Sequence, residues 1–133
     1  MNTNKYVIAS LAASVFFFLY GWVIYDLLFA DYVASISPAA FAIPPEEISL
    51  LYIGLGCLFQ GFILTYIFIR GLENKGLMEG VRLGLMIALF MFGVYLIWAG
   101  TSPLSLRAGL TYAMFDFVMY SGGAIIMGML YQK

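Results

Sequence analysis

The class of this protein follows most directly from residues 108–131, which read AGLTYAMFDFVMYSGGAIIMGMLY and carry one charged side chain, Asp116. A helix needs about 20 apolar residues to cross the ~30 Å hydrocarbon core of a bilayer, and this stretch is long enough. A carboxylate near the middle of such a span costs about 2.5–3.5 kcal/mol on insertion scales, so it normally faces a protein interior. The stretch therefore predicts a membrane helix with a polar site near its centre.

Three other stretches are similarly long and apolar, and we expect each to form a membrane helix. They are residues 6–29, 48–69 and 81–99. Membrane β-strands would need about half that length and an alternating pattern, which these stretches lack. With 64% hydrophobic and 10% charged residues, the chain is too apolar for an ordinary soluble domain. The predicted fold class is all-α, with residues 1–133 forming a single domain, an integral membrane four-helix bundle.

The positions of the basic residues predict how the bundle lies in the membrane. The apolar run after Lys5 is longer than the 7–15 residues of a signal-peptide core, so we expect a retained first helix. Short loops predict that consecutive helices are antiparallel neighbours. Five of the bases fall on one side of the predicted membrane, whereas Arg107 falls on the other. By the positive-inside rule, both termini lie in the cytoplasm, and we expect a bacterial cytoplasmic (inner) membrane. The five bases are Lys5, Arg70, Lys75, Arg82 and Lys133.

Composition also excludes several functions. The chain has no histidine and one cysteine, Cys57, so we expect no metal site and no cofactor. A net charge of −1 with scattered bases argues against nucleic-acid binding. Because no Ser-His or Cys-His pair is available for nucleophilic catalysis, we expect that the protein is not an enzyme.

The candidate intramembrane polar site is built around Asp116. Gln60 in the second predicted helix falls at a similar depth, so the two side chains are expected to be able to form a hydrogen bond. Tyr112 and Tyr120 lie one helical turn on either side of Asp116 and place two phenols on its face. The site is either a neutral structural group or a proton- or cation-linked one.

At the outer end of the bundle, Asp26 and Arg107 form a candidate ion pair. Asp26 lies about one turn below the end of the first predicted helix, and Arg107 lies at the start of the fourth. The first loop, residues 30–47, is the longest connection and contains apolar residues among small ones. This loop either lies along the membrane interface or forms a lid over the mouth of the bundle.

Small residues recur at every fourth position of the third predicted helix, which forms a ridge that lets another helix approach closely. The ridge serves either internal packing, which we prefer, or contact between subunits. It consists of Gly76, Gly80, Gly84 and Ala88.

Short motifs in three helices resemble those of small bacterial four-helix membrane proteins in domain-of-unknown-function families. They are Gly21-Trp22 with Tyr25, GVRLGL at residues 80–85, and GAIIMG at residues 123–128. The resemblance implies a four-helix layout but no established activity.

Two functional hypotheses follow from these predictions. The preferred one is an accessory, structural or self-associating membrane component, whose partners are membrane lipid and a homo-oligomer or larger membrane complex. The alternative is a small transporter or channel that moves a proton, cation or small organic molecule past Asp116.

Overall fold

The computed structural model describes residues 2–39, 44–71 and 77–131, and the regular structure in these ranges is helical. Four of the helices are long and apolar enough to cross a membrane, as predicted, which is typical of an integral membrane protein. The elements are α1 (Thr3–Gly21), continued by a π-helix (Trp22–Leu28), α2 (Ala30–Ile36), a 3-10 helix (Pro45–Glu47), α3 (Leu50–Gly71), α4 (Leu77–Thr101) and α5 (Leu106–Leu130).

Most of the surface of the four spans is apolar and exposed. Only 11% of the spanning window is buried in α3 and in α4, against 33% in α5. Exposed apolar area of this extent is far larger than soluble monomers tolerate, but it is what lipid requires. The burial also shows that α5 is the central helix, and a site on α5 is therefore the best enclosed.

Side-chain caps determine where α1 and α5 begin. The Asn2 side chain accepts a hydrogen bond from the backbone N–H of Lys5 at 3.1 Å. The Ser105 hydroxyl accepts one from the backbone N–H of Ala108, also at 3.1 Å. Each cap satisfies a donor that the first turn of a helix leaves unpaired. Pro103, between α4 and α5, cannot continue a helix, and the connection there is short.

Helix α1 lies antiparallel to α5. Phe16 and Phe17 fit against Gly122 and Gly123, where an added Cβ atom at Gly122 would come within 2.6 Å of the Phe16 ring. At the opposite end of this contact, the backbone N–H of Asn2 donates to the Tyr131 hydroxyl at 3.0 Å. The first and last described residues therefore lie at the same end of the molecule.

Helices α1 and α3 approach closely through small and hydroxyl-bearing residues. Ser10 and Thr65 are fully buried, and a Cβ atom added at Gly61 would lie 2.7 Å from the Ser10 carbonyl oxygen. The Ser14 hydroxyl donates to that same carbonyl at 2.8 Å. This is small-residue packing of the kind common in membranes, and the sequence analysis did not single it out.

Helices α3 and α4 are consecutive in the chain, yet the described residues show little direct packing between them. Helix α3 packs mainly against α1, whereas α4 packs mainly against α5. The prediction that all consecutive spans are neighbours is therefore wrong for this pair. The reason is that each helix uses its small-residue face on a different partner, which leaves a cleft between the two.

Candidate intramembrane polar site

The carboxyl group of Asp116 is enclosed between α4 and α5. Asp116 is only 6% exposed. The Tyr95 hydroxyl donates a hydrogen bond to one of its carboxyl oxygens, Oδ2, at 2.7 Å. Asp116 lies ten residues after the first residue of α5, about 15 Å along the helix axis. In hydrocarbon, an unsatisfied polar group costs several kcal/mol, so this hydrogen bond favours the contact between α4 and α5.

Tyr95 is the residue of the candidate site that the sequence analysis missed. It is buried on α4 and lies seven residues after Ala88, the last residue of the predicted ridge. Two helical turns separate these positions, so both lie on the same face of the helix. Extending the ridge by seven residues would have placed Tyr95 on the face of α4 that packs against α5.

The two phenols predicted to flank Asp116 occupy different surroundings. The Tyr112 ring lies 5.7 Å from the Tyr95 ring, measured between centroids, and both belong to the polar region around the carboxylate. Tyr120 is buried in the apolar core, where its ring meets Phe17 at 5.6 Å in an edge-to-face arrangement. The phenol that donates a hydrogen bond to Asp116 is that of Tyr95.

Two tyrosines at the end of the first span complete an aromatic group on this side of α5. The Tyr25 ring lies 6.4 Å from that of Tyr112 and 5.6 Å from that of Phe115. The Tyr20 hydroxyl donates to the Phe115 carbonyl oxygen at 3.0 Å. Phenols from three helices therefore gather in the half of the molecule away from Asn2 and Tyr131.

Gln60 does not join this site. Its side chain is exposed on α3, and Asp116 has Tyr95 as its hydrogen-bond donor instead. The expectation of a Gln60–Asp116 hydrogen bond is thus corrected. The face of α3 that packs inward contains Gly61 and Thr65, and a residue one position before Gly61 is turned about 100° away. Equal depth in the membrane does not place two side chains on facing surfaces.

The short helix α2 packs over the end of the tyrosine group. Its Tyr32 hydroxyl lies 3.3 Å from the Thr111 hydroxyl, and the Arg107 guanidinium lies 5.6 Å from the centre of the Tyr32 ring. The hydrogen bond with Thr111, together with the nearby positive charge of Arg107, lowers the pKa of Tyr32. Ser37 and Tyr112 are joined by a hydrogen bond between their hydroxyl groups. Residues 30–37 of the first loop therefore cover the site from one end, and residues 40–43 lie outside the described ranges.

The predicted ion pair between Asp26 and Arg107 is not formed. Asp26 is exposed, while Arg107 stacks on Tyr32. The cause is the π-helix Trp22–Leu28, which widens the turns and changes the direction in which each side chain points. Within this π-helix, Tyr25 contacts Phe115 on α5, while the next residue, Asp26, is exposed. Counting at 3.6 residues per turn therefore does not predict the direction of the Asp26 side chain.

The ridge of small residues on α4 faces α5. A Cβ atom added at Gly80 would lie 2.9 Å from the backbone nitrogen of Ile125, and one at Gly84 would collide with Ser121. Ala88 is buried on the same side, whereas Gly76 lies outside the described residues. These contacts bring the backbones of α4 and α5 close enough for Tyr95 to reach Asp116.

Chemically, the site offers a carboxyl group, a phenol bonded to it and further phenols nearby. Such groups can hold two helices together by hydrogen bonding or can exchange a proton. Within the described ranges, no three His, Cys, Asp or Glu side chains come together as possible metal ligands.

No protein-family model matches this chain, and neither a curated protein nor a solved structure is significantly similar to it. The resemblance to small bacterial four-helix membrane proteins therefore stays a prediction.

Proposed function

We propose that this chain is a non-enzymatic membrane protein that does accessory or structural work in a homo-oligomer or a larger membrane complex. The observation that carries the proposal is the hydrogen bond from Tyr95 to the enclosed carboxyl group of Asp116. A carboxylate used in this way holds α4 against α5. Two clefts on the surface, one between α1 and α3 and one between α3 and α4, are lined by other residues.

The exposed face of α3, which points away from the other helices, is the surface that we propose for a protein partner. Tyr52 and Phe59 are 76% and 72% exposed, and an added Cβ atom at Gly56, on the same face, would meet no atom within 4 Å. Small residues beside aromatic ones allow another helix to approach closely. The small residues of the ridge on α4, by contrast, face α5.

The partner can be sought with a photo-crosslinking residue at Phe59 in native membranes. We expect an adduct with a protein, and the mass added to the 14.8 kDa chain distinguishes a second copy from another subunit. Met114 on α5, which is 70% exposed and has no glycine within one helical turn, is the control and should give lipid adducts alone. The proposal fails if Phe59 also yields lipid adducts alone and the chain is monomeric in mild detergent.

We further propose that both termini face the cytoplasm of a bacterial cell and that the membrane is the inner one. In a Cys57→Ala background, a cysteine at Ser35 should react with an impermeant thiol reagent added outside intact cells. A cysteine at Asn74 should react only after the cells are opened. The reverse labelling pattern would invert the orientation.

A proton- or cation-linked transport function is the second candidate. It is favoured by the phenols of Tyr25 and Tyr112 near Asp116 and by the π-helix in the first span, because π-helical turns occur frequently at functional sites. In this function, the Asp116 carboxylate would give up its hydrogen bond with Tyr95 and then take up the proton or coordinate the cation.

The substitution Asp116→Asn separates the two functions, because asparagine keeps a carbonyl acceptor for Tyr95 but cannot titrate. We expect the variant to fold and, in proteoliposomes containing a pH-sensitive dye, to show the same proton permeability as the wild type. Proton flux that is present in the wild type and lost in a folded Asn variant would establish the transport function instead.

A further inference from the structure

The cleft between α3 and α4 lies towards the end of the molecule where α3 finishes and α4 begins. It has a volume of about 310 Å³. Its walls are mostly apolar, with charged side chains on the α4 side. The lining residues are Ile67, Phe68, Gly71, Glu79, Arg82, Leu83 and Met86.

The charges around this cleft follow a simple order along the helix axis. Arg82 is exposed and lies five residues after the start of α4, about 8 Å along the axis, so it sits near this end of the molecule. Arg70, near the end of α3, adds a second positive charge at the same end of the molecule. Glu79 lies in the first turn of α4, where the helix dipole favours a carboxylate. With Lys5 in the first turn of α1, the described charges at this end are three positive and one negative. Ile67 and Met86 supply the exposed apolar wall.

We propose that this cleft binds one anionic phospholipid, with its phosphate on Arg82 and its acyl chains along Ile67 and Met86, which are 50% and 60% exposed. The guanidinium group has two parallel N–H donors and matches the oxygens of a phosphate. Basic pockets between membrane helices are a recurring kind of site for anionic headgroups. The apolar walls select a lipid over a water-soluble phosphate, because only a lipid covers them.

The packing of the helices also explains why a cleft separates α3 from α4. Helix α3 packs on α1 and α4 packs on α5, so neither fills the space between them. An added Cβ atom at Gly71 would meet no atom within 4 Å, which shows that there is room at this wall. The proposal does not depend on whether the protein is an accessory component or a transporter.

The test is native mass spectrometry of protein released from vesicles of equal phosphatidylglycerol and phosphatidylcholine with identical acyl chains. We expect one retained lipid per chain, predominantly phosphatidylglycerol. Arg82→Gln should weaken its retention about fivefold, the effect of one basic residue near a membrane surface. Gly71→Leu should reduce retention of both lipids by narrowing the cleft.

Two matched variants control for charge and for added bulk. Arg107→Gln removes a positive charge at the opposite end of the molecule. Gly93→Leu adds a leucine side chain, as Gly71→Leu does, but at an open glycine on α4 that does not line the cleft. Both should retain phosphatidylglycerol as the wild type does. Equal retention of the two lipids by the wild type, or an Arg82→Gln variant indistinguishable from Arg107→Gln, would overturn the proposal.

Discussion

Replacing Gly84 with leucine is expected to force α4 away from α5 and to lower the free energy of unfolding by about 3 kcal/mol, the upper end of the usual cost of overpacking. A Cβ atom at this position would lie 2.5 Å from the backbone nitrogen of Ser121 and 2.7 Å from its Cα atom. Backbone atoms cannot rotate aside as the end of a side chain can. The change is measured by unfolding in mixed micelles titrated with a denaturing detergent.

Gly93→Leu is the matched control for this variant, because it adds the same side chain to the same helix. No atom lies within 4 Å of an added Cβ atom at Gly93, so we expect a change within about 0.5 kcal/mol. If the two variants unfold alike, the ridge faces lipid and the packing of α4 on α5 is wrong.

Replacing Asp116 with alanine should lower the free energy of unfolding by about 2 kcal/mol. The substitution leaves the buried Tyr95 hydroxyl without its acceptor, and an orphaned buried hydrogen-bonding group costs about 1–3 kcal/mol. Unfolding in the same mixed micelles gives the value.

Two further variants show whether that loss comes from the acceptor. Asp116→Asn retains a carbonyl oxygen and should lose much less stability than the alanine variant. Gln60→Ala removes an exposed polar side chain from a similar depth and should be neutral within about 0.5 kcal/mol. A larger loss for Gln60→Ala than for Asp116→Ala would restore Gln60 as the important polar residue.

The four spans could be predicted because a helix that crosses the bilayer needs an apolar stretch as long as the hydrocarbon core is thick. The helix ends could not, since a helix continues past the hydrocarbon core wherever its backbone bonds remain satisfied. Helix α4 starts at Leu77, before the predicted residue 81, so Glu79 also lies in the helix. The helix α2 was not predicted, because its seven residues are too few for a clear periodic signal.

The site was predicted in part. Asp116 stood out by its charge, but its partner depends on which helix faces α5, and depth alone favoured Gln60 over Tyr95. The spacing of glycines on α4 contained that information, because Gly80, Gly84 and Tyr95 share one face. The position of Asp26 could not be predicted in this way, since an unrecognised π-helix precedes and includes it.

The most direct test of the structural role of Asp116 is a double-mutant cycle with Tyr95→Phe and Asp116→Ala. Coupling energies of hydrogen bonds between membrane helices average about 0.6 kcal/mol and reach about 1.7 kcal/mol. Because this bond is short and enclosed, we predict a coupling of about 1 kcal/mol. Strictly additive effects of the two substitutions would mean that Tyr95 does not hold Asp116 and would contradict the account.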